Sequence, residues 1–175
     1  MLAGVFLVAA TRGTFWVMTI DVWSRLDEAQ HFAYVESLAK GEGVPRVGQD
    51  RVSEDVLLIA RSSGTSGHRT LPLESDPRDP RWGAFREQYE GIQGPVYYAA
   101  LVLPYRAFRP LGPLAAVYAV RFASLLLALL TIPLVYLIAR LLFPRHEWAW
   151  PASAAVLLAV PAFTSAPAAV TMMDW

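Results

Sequence analysis

The sequence predicts an all-α polytopic membrane protein, with about three transmembrane helices and a large outer loop carrying amphipathic juxtamembrane helices. Three observations predict it. Charge is nearly absent from three stretches: residues 1–20 hold only Arg12, residues 114–143 only Arg121 and Arg140, and residues 148–173 none. Thirteen of the acids instead fall between Asp21 and Glu90, which marks that region as the polar one. Apolar runs of about 20 residues match the length needed to cross a bilayer core of about 30 Å.

The first span is residues 1–20. A cleaved signal peptide is disfavoured because the start carries no basic residue and Arg12 interrupts the apolar stretch. Trp16 and Trp23 suit an interfacial belt. Residues 21–113 then form the outer loop, and its first element is a helix near 25–41. Ser24 or Asp27 can cap it, and Gly41 and Gly43 end it before Pro45. Phe32, Val35, Leu38 and Ala39 share one side of that helix with Glu28 and His31, while Gln30, Ser37 and Lys40 lie elsewhere. The pattern is that of a helix lying at the membrane surface, with two polar residues on its buried side that need partners.

From Val44 to Gly94 the chain lacks strong periodicity, and long connections of this kind are functional or disordered. SSGTSG at 62–67 reads as flexible and DPRDPR at 76–81 as turn-rich. Residues 56–60 read as a short strand or helical turn. Residues 95–108 are apolar and aromatic but short, bounded by Pro104, Arg106 and Arg109, which predicts a second surface-lying or re-entrant helix. Span 2 covers 114–143 with Pro133 as a kink point, and span 3 covers 148–170. Arg140, Arg145 and His146 cluster at the turn between them. The positive-inside bias therefore places that turn and the N-terminus in the cytoplasm and the 21–113 loop outside. Asp174 follows span 3 to the same outer side.

Composition removes several function classes. The chain has no cysteine, hence no disulfide framework, thiolate metal site or Cys nucleophile. Fifteen basic residues balance fifteen acidic ones, and without a basic stripe there is no footprint for nucleic acid.

The chemistry-bearing residues fall in two clusters. In Leu26-Asp27-Glu28-Ala29-Gln30-His31-Phe32, adjacent carboxylates sit at a helix start, with His31 one turn beyond Asp27. Acids there complement the helix dipole; the same pair at the mouth of a membrane cavity can supply a general base. The run is not a helicase box, since no phosphate-binding GxxxxGK[ST] loop accompanies it, nor a zinc HExxH, since Asp27 replaces the first histidine. A divalent metal requires other acids to converge, with Asp27 and Asp174 as candidate ligands. The second cluster runs from Glu87 to Tyr98 and mixes Glu90 and Gln93 with Tyr97 ahead of an apolar helix. It suits recognition of a sugar or lipid phosphate as well as interfacial anchoring. Arg121 is an intramembrane charge, which normally pairs or lines a cavity.

The ordered set resembles a known plan. A first span is followed by LDEAQHFAYVESLAKGEGVP (26–45), YEGIQGPVYYAALVLPYRAF (89–108), VRFASLLLALLTIPLVYLIARLLFP (120–144) and a third span near an aspartate. This is similar to the N-terminal part of the GT-C superfamily of membrane glycosyltransferases, which includes protein O-mannosyltransferases and aminoarabinose transferases of lipid A. The resemblance covers nearly the whole chain, with Gln93-Gly94-Pro95 departing from the more usual Gln-Pro-Pro. It implies transfer of a sugar from a polyprenyl-phosphate donor to a glycan, lipid or protein hydroxyl on the outer face of the cell membrane. Asp27 would match the catalytic acid and Glu28 its partner. His31, Glu90, Gln93, Tyr97 and Arg121 become candidate substrate-binding residues, and Asp174 matches the region of a second acidic position. For the donor phosphate, Arg25, Arg69, Arg106 and Arg121 stay open alternatives. Relatives carry further spans, so a longer parent chain is expected. The alternative class is a non-catalytic membrane subunit or transporter piece whose outer loop binds a partner.

Overall fold

The computed structural model describes residues 1–23, 27–63, 65–66, 69–70 and 87–157. The chain divides into two compact units, one of Met1–Ile20 with Arg121–Trp175, the other of Asp21–Val120. The fold is mostly helical. Its elements are α1 (Leu2–Thr19), α2 (Glu28–Lys40), α3 (Glu54–Ser63), β1 (Thr65–Ser66), β2 (Arg69–Thr70), α4 (Pro95–Phe108), α5 (Pro113–Leu142) and α6 (Ala149–Val156). Single 3-10 turns occur at Glu90–Ile92 and Arg109–Leu111. The small antiparallel pair β1–β2, in which Thr65 faces Thr70, departs from the all-α expectation.

In the first unit, α1 and α5 are both long and apolar enough to cross a membrane. At 1.5 Å per residue they extend about 27 Å and 45 Å. The buried positions of α1 are Val5, Ala9, Gly13 and Val17, a stripe repeating every four residues. Small residues along such a stripe let helices approach closely, and a Cβ on Gly13 would lie 2.3 Å from Leu125 Cδ1 of α5. Val5 and Ala9 pack with Leu129, Ile132 and Ala154 into this unit's core. The end of α1 leaves carbonyls without helical partners. Arg121, itself buried, donates from a guanidinium nitrogen to two of them, Val17 O at 3.2 Å and Ile20 O at 2.8 Å. Of the expected third span, only Ala149–Val156 and Leu157 are described; 158–170 lies outside the described residues.

In the second unit, α2 is the central element. Gly41 adopts φ +81 and closes it through its N–H to Leu38 O, with Glu42 N–H to Ser37 O, the left-handed stop that Gly permits. The helix is buried all round from Glu28 to Glu36, and Leu38 is only half-buried. This corrects the expected one-sided burial of the helix. The cause is that α4, α3 and the turn at Glu90 all pack on it, so Gln30, expected on the wet side, is 1% exposed. Residues 54–63 form a full helix, longer than the short strand or turn expected for 56–60. Arg51 and Glu87 form an isolated antiparallel bridge beside Gln88 N–H to Asp50 O at 3.3 Å, so the segment between them leaves and returns at one place.

The second helix expected in the loop, 95–108, has the expected bounds, starting on Pro95 at its first turn. Tyr98, Leu101 and Tyr105 face inward, while Val96 and Leu103 are 83% and 76% exposed. Arg106 Nε donates to Ala39 O at 3.0 Å and Arg109 pairs with Asp55. The basic groups of this helix therefore bond to protein, and its outer face stays apolar.

Candidate functional site

Asp27 occupies the N-cap position of α2, with φ −111 and ψ −5, and its backbone carbonyl accepts the His31 N–H at 3.0 Å. Its side chain makes no cap hydrogen bond. The half-buried carboxylate instead accepts a hydrogen bond from the Tyr89 hydroxyl. Glu28 turns the other way and is buried, its Oε2 accepting the Trp23 N–H at 2.9 Å. Trp23 has φ +62 and is fully buried against Phe32, with ring centroids 5.5 Å apart. A bulky residue rarely holds that backbone region. The carboxylate pair thus divides: Glu28 anchors the chain entering the helix, and Asp27 is the more open acid.

His31 lies one turn on and is 1% exposed. Its Nδ1 stands 2.7 Å from Tyr98 Oη, with the two rings stacked at 5.8 Å. Tyr98 O–H donates to Gln93 Oε1 at 3.2 Å, and Gln93 Nε2 donates to Glu90 Oε2 at 2.6 Å. In that ordering Nδ1 carries the proton and Nε2 is the lone-pair nitrogen, which finds no partner among the described residues. Burial pushes the imidazole down to about 4, against a smaller upward pull from Asp27. The ring is therefore neutral at pH 7, and its 3.6 Å approach to Glu90 is not an ion pair there.

The loop carrying Glu90 is fastened to α2 by several bonds. Gln88 Nε2 donates to Gln30 O at 2.8 Å, and Gln88 Oε1 accepts the Glu90 N–H at 3.1 Å. Tyr34 O–H donates to Gln93 O at 3.0 Å, its ring stacked on Tyr98 at 3.8 Å. Gly91 is held against the Pro45 carbonyl, where an added Cβ would lie 1.9 Å from the oxygen. Both groups are backbone, so neither can swing away. Gly91→Ala is expected to destabilise the fold by about 1–3 kcal/mol, as overpacking does; thermal unfolding by circular dichroism measures it.

Asp27, Glu28, His31, Glu90 and Gln93 therefore come together in the second unit. Tyr97 is half-buried and stands edge-on to Tyr98 at 5.3 Å. Tyr98, in register with Leu101 and Tyr105 on the buried face, is the tyrosine that bonds His31 and Gln93. Arg121 belongs to the first unit, where it caps α1. Among the donor-phosphate alternatives, Arg106 and Arg121 both bond helix-end carbonyls, while Arg25 and the Arg69 side chain lie outside the described residues. Asp174 lies outside them too, and among the described residues no three His, Asp or Glu side chains are grouped to hold a metal ion.

Sequence reasoning missed Gln88 and gave no separate role to Tyr34, Tyr89 and Tyr98. The signal for the tyrosines was their clustering ahead of Pro95; Gln88 gave none. It also gave no hint of a polar cavity of about 700 Å3 on another side of α2, lined by Glu36, Lys40, Arg46, Asp50 and Gln88 but not Asp27. Beside it the buried Glu36 carboxylate accepts from Ser53 and from Tyr105 O–H at 3.2 Å, with Lys40 Nζ at 2.8 Å. Burial, then Glu36, pushes the Tyr105 phenol up to about 12, keeping it a donor.

No family model, curated protein or solved structure matches this chain. The functional reading rests on the residues themselves.

Proposed function

We propose that this chain is part of a membrane glycosyltransferase that moves a sugar from a polyprenyl-phosphate donor to an acceptor hydroxyl, with Asp27 as general base. The observation that supports it most is that Asp27 stands at a helix N-cap without a side-chain cap bond: its carboxylate is half-buried, accepts from Tyr89 O–H, and is the open member of the acid pair. A polyprenyl phosphate leaves readily, whereas an acceptor hydroxyl is a poor nucleophile and needs a base. In line attack, the acceptor oxygen bonds the anomeric carbon as the bond to the donor phosphate breaks, and the hydroxyl proton passes to Asp27. Tyr89 O–H holds that carboxylate, Glu28 anchors the chain that enters the helix, and the His31–Tyr98–Gln93–Glu90 chain fixes the next turn. The test is sugar transfer in membranes bearing the parent or the Asp27→Asn chain. Loss of transfer supports the reading; transfer at the parent rate removes it.

The same proposal carries a topology: three spans in the cell membrane, the N-terminus inside and the 21–113 loop on the outer face with its acceptor. Its motive is the Arg140–Arg145–His146 turn beside two uncharged stretches. Single cysteines at Ser66 and Glu147 are expected to react with an impermeant reagent from opposite sides; labelling of both from one side refutes the arrangement. A second reading, a non-catalytic subunit or transporter piece, is favoured by the internal bonding of Glu28 and Glu90, which suits a scaffold. The Asp27→Asn comparison separates the two.

A further inference from the structure

The turn between α5 and α6, within the first unit, carries a feature the transfer chemistry does not use. A groove of about 520 Å3 is lined by Leu137, Arg140, Leu141, Pro144 and Trp150. The Arg140 guanidinium stands 5.4 Å from the centroid of the Trp150 ring. That ring is fixed, because Trp150 Nε1 donates to Phe143 O at 2.9 Å and Tyr136 meets it edge-on at 6.2 Å. Arg140 has no ion pair with any described residue. An exposed guanidinium backed by an indole keeps its N–H edge for an anion, and its planar fork matches phosphate oxygens.

Depth supports the same conclusion. Arg121 and Arg140 are nineteen residues apart with no charge between them, about 28 Å along a helix. A bilayer core is about 30 Å thick. The two arginines of α5 thus mark its two boundaries, and Arg140 stands at the level of lipid phosphates. On the core side of it, the exposed Leu134 and Leu137 are the surface an acyl chain would cover.

We propose that Arg140 and Trp150 form a binding site for the phosphate of an anionic phospholipid, whose chain lies over Leu137 and Leu134. An anionic lipid fits better than a zwitterionic one because the groove is lined by the Arg140 guanidinium and by no acid to meet a choline. The site rests on α5 crossing a bilayer, and the experiment tests that first.

The full chain is mixed with phosphatidylcholine vesicles and floated. Failure to float removes the membrane reading and this site together. The purified chain is then given equal phosphatidylglycerol and phosphatidylcholine, and bound lipid is counted by native mass spectrometry. The expected preference for phosphatidylglycerol is about fivefold, the size one basic residue gives at a lipid surface. Arg140→Gln should bring it near parity, while Arg145→Gln keeps most of it. Helix content by circular dichroism checks folding, and Trp150→Leu, which unstacks the guanidinium, replaces Arg140→Gln if that variant does not fold. Three results overturn the site: no preference in the parent, equal loss in Arg145→Gln, which means diffuse surface charge, or displacement by inorganic phosphate, which means a free-anion site.

Discussion

Asp27→Asn is expected to slow sugar transfer by about 10²–10⁴-fold, the usual contribution of a general base, or roughly 3–5 kcal/mol of barrier. The fold should survive. Asparagine keeps the shape, and its Oδ1 can still accept the Tyr89 hydroxyl; only basicity is lost. Asp27→Ala would normally cost about 0.5–2 kcal/mol at an N-cap. Here the side chain makes no cap bond, so the loss should be limited to the helix-dipole contribution of about 0.3–1 kcal/mol and that of one part-exposed hydrogen bond, from Tyr89. Both variants should accumulate in the membrane near parent levels, with similar unfolding midpoints and little transfer. A large stability loss in Asp27→Ala alone would instead make Asp27 a structural residue.

The second large effect is acid lability. The folded His31 imidazole is held at about 4 by burial, while an unfolded chain titrates near 6.5. The unfolded state therefore takes the proton first as pH falls. Stability should be unaffected above about pH 6.5, decline from there to pH 4, and level off below, where both states are protonated. With each unit worth about 1.4 kcal/mol, the loss approaches about 3 kcal/mol. Asp27 and Glu90 also lie near the ring, so the parent must be compared with a variant. His31→Asn keeps a donor toward Tyr98 and removes the titration. Thermal unfolding between pH 7 and 4 should show the parent falling well below its own neutral value and His31→Asn falling much less; parallel curves would refute the assignment.

What was legible in the sequence were features set by local chemistry. Gly41 ended α2 and Pro95 opened the helix after it because φ > 0 and a fixed φ are written in single residues. The long apolar helices α1 and α5 were readable from composition alone. The wetness of α2 was not, because a helix flanked by three partners hides residues that a one-sided pattern assigns to solvent. Gln30 and Gln88 belong to that class: polar residues drawn inside by backbone groups contributed from distant sequence. The choice of Tyr98 over Tyr97 was readable in principle, from its three- and four-residue steps to Leu101 and Tyr105. Arg121 reads in the sequence as an intramembrane charge in need of a partner, but its carbonyl partners on α1 depend on helix packing, which no spacing within its own helix encodes.

The closure at Asp50, Arg51, Glu87 and Gln88 has a consequence for how this protein can vary. Because the excursion departs from and returns to one fixed point, Tyr89 and Glu90 are placed by that junction and by Gln88, independently of how many residues lie beyond it. Lengthening such an excursion carries a slowly growing entropic cost, about 0.6 kcal/mol for each doubling. Insertions beyond α3 should therefore be tolerated without moving the phenol that holds Asp27. That makes the excursion a place where related chains can gain or lose sequence, and so diversify what they recognise, while the acid at the helix start stays put.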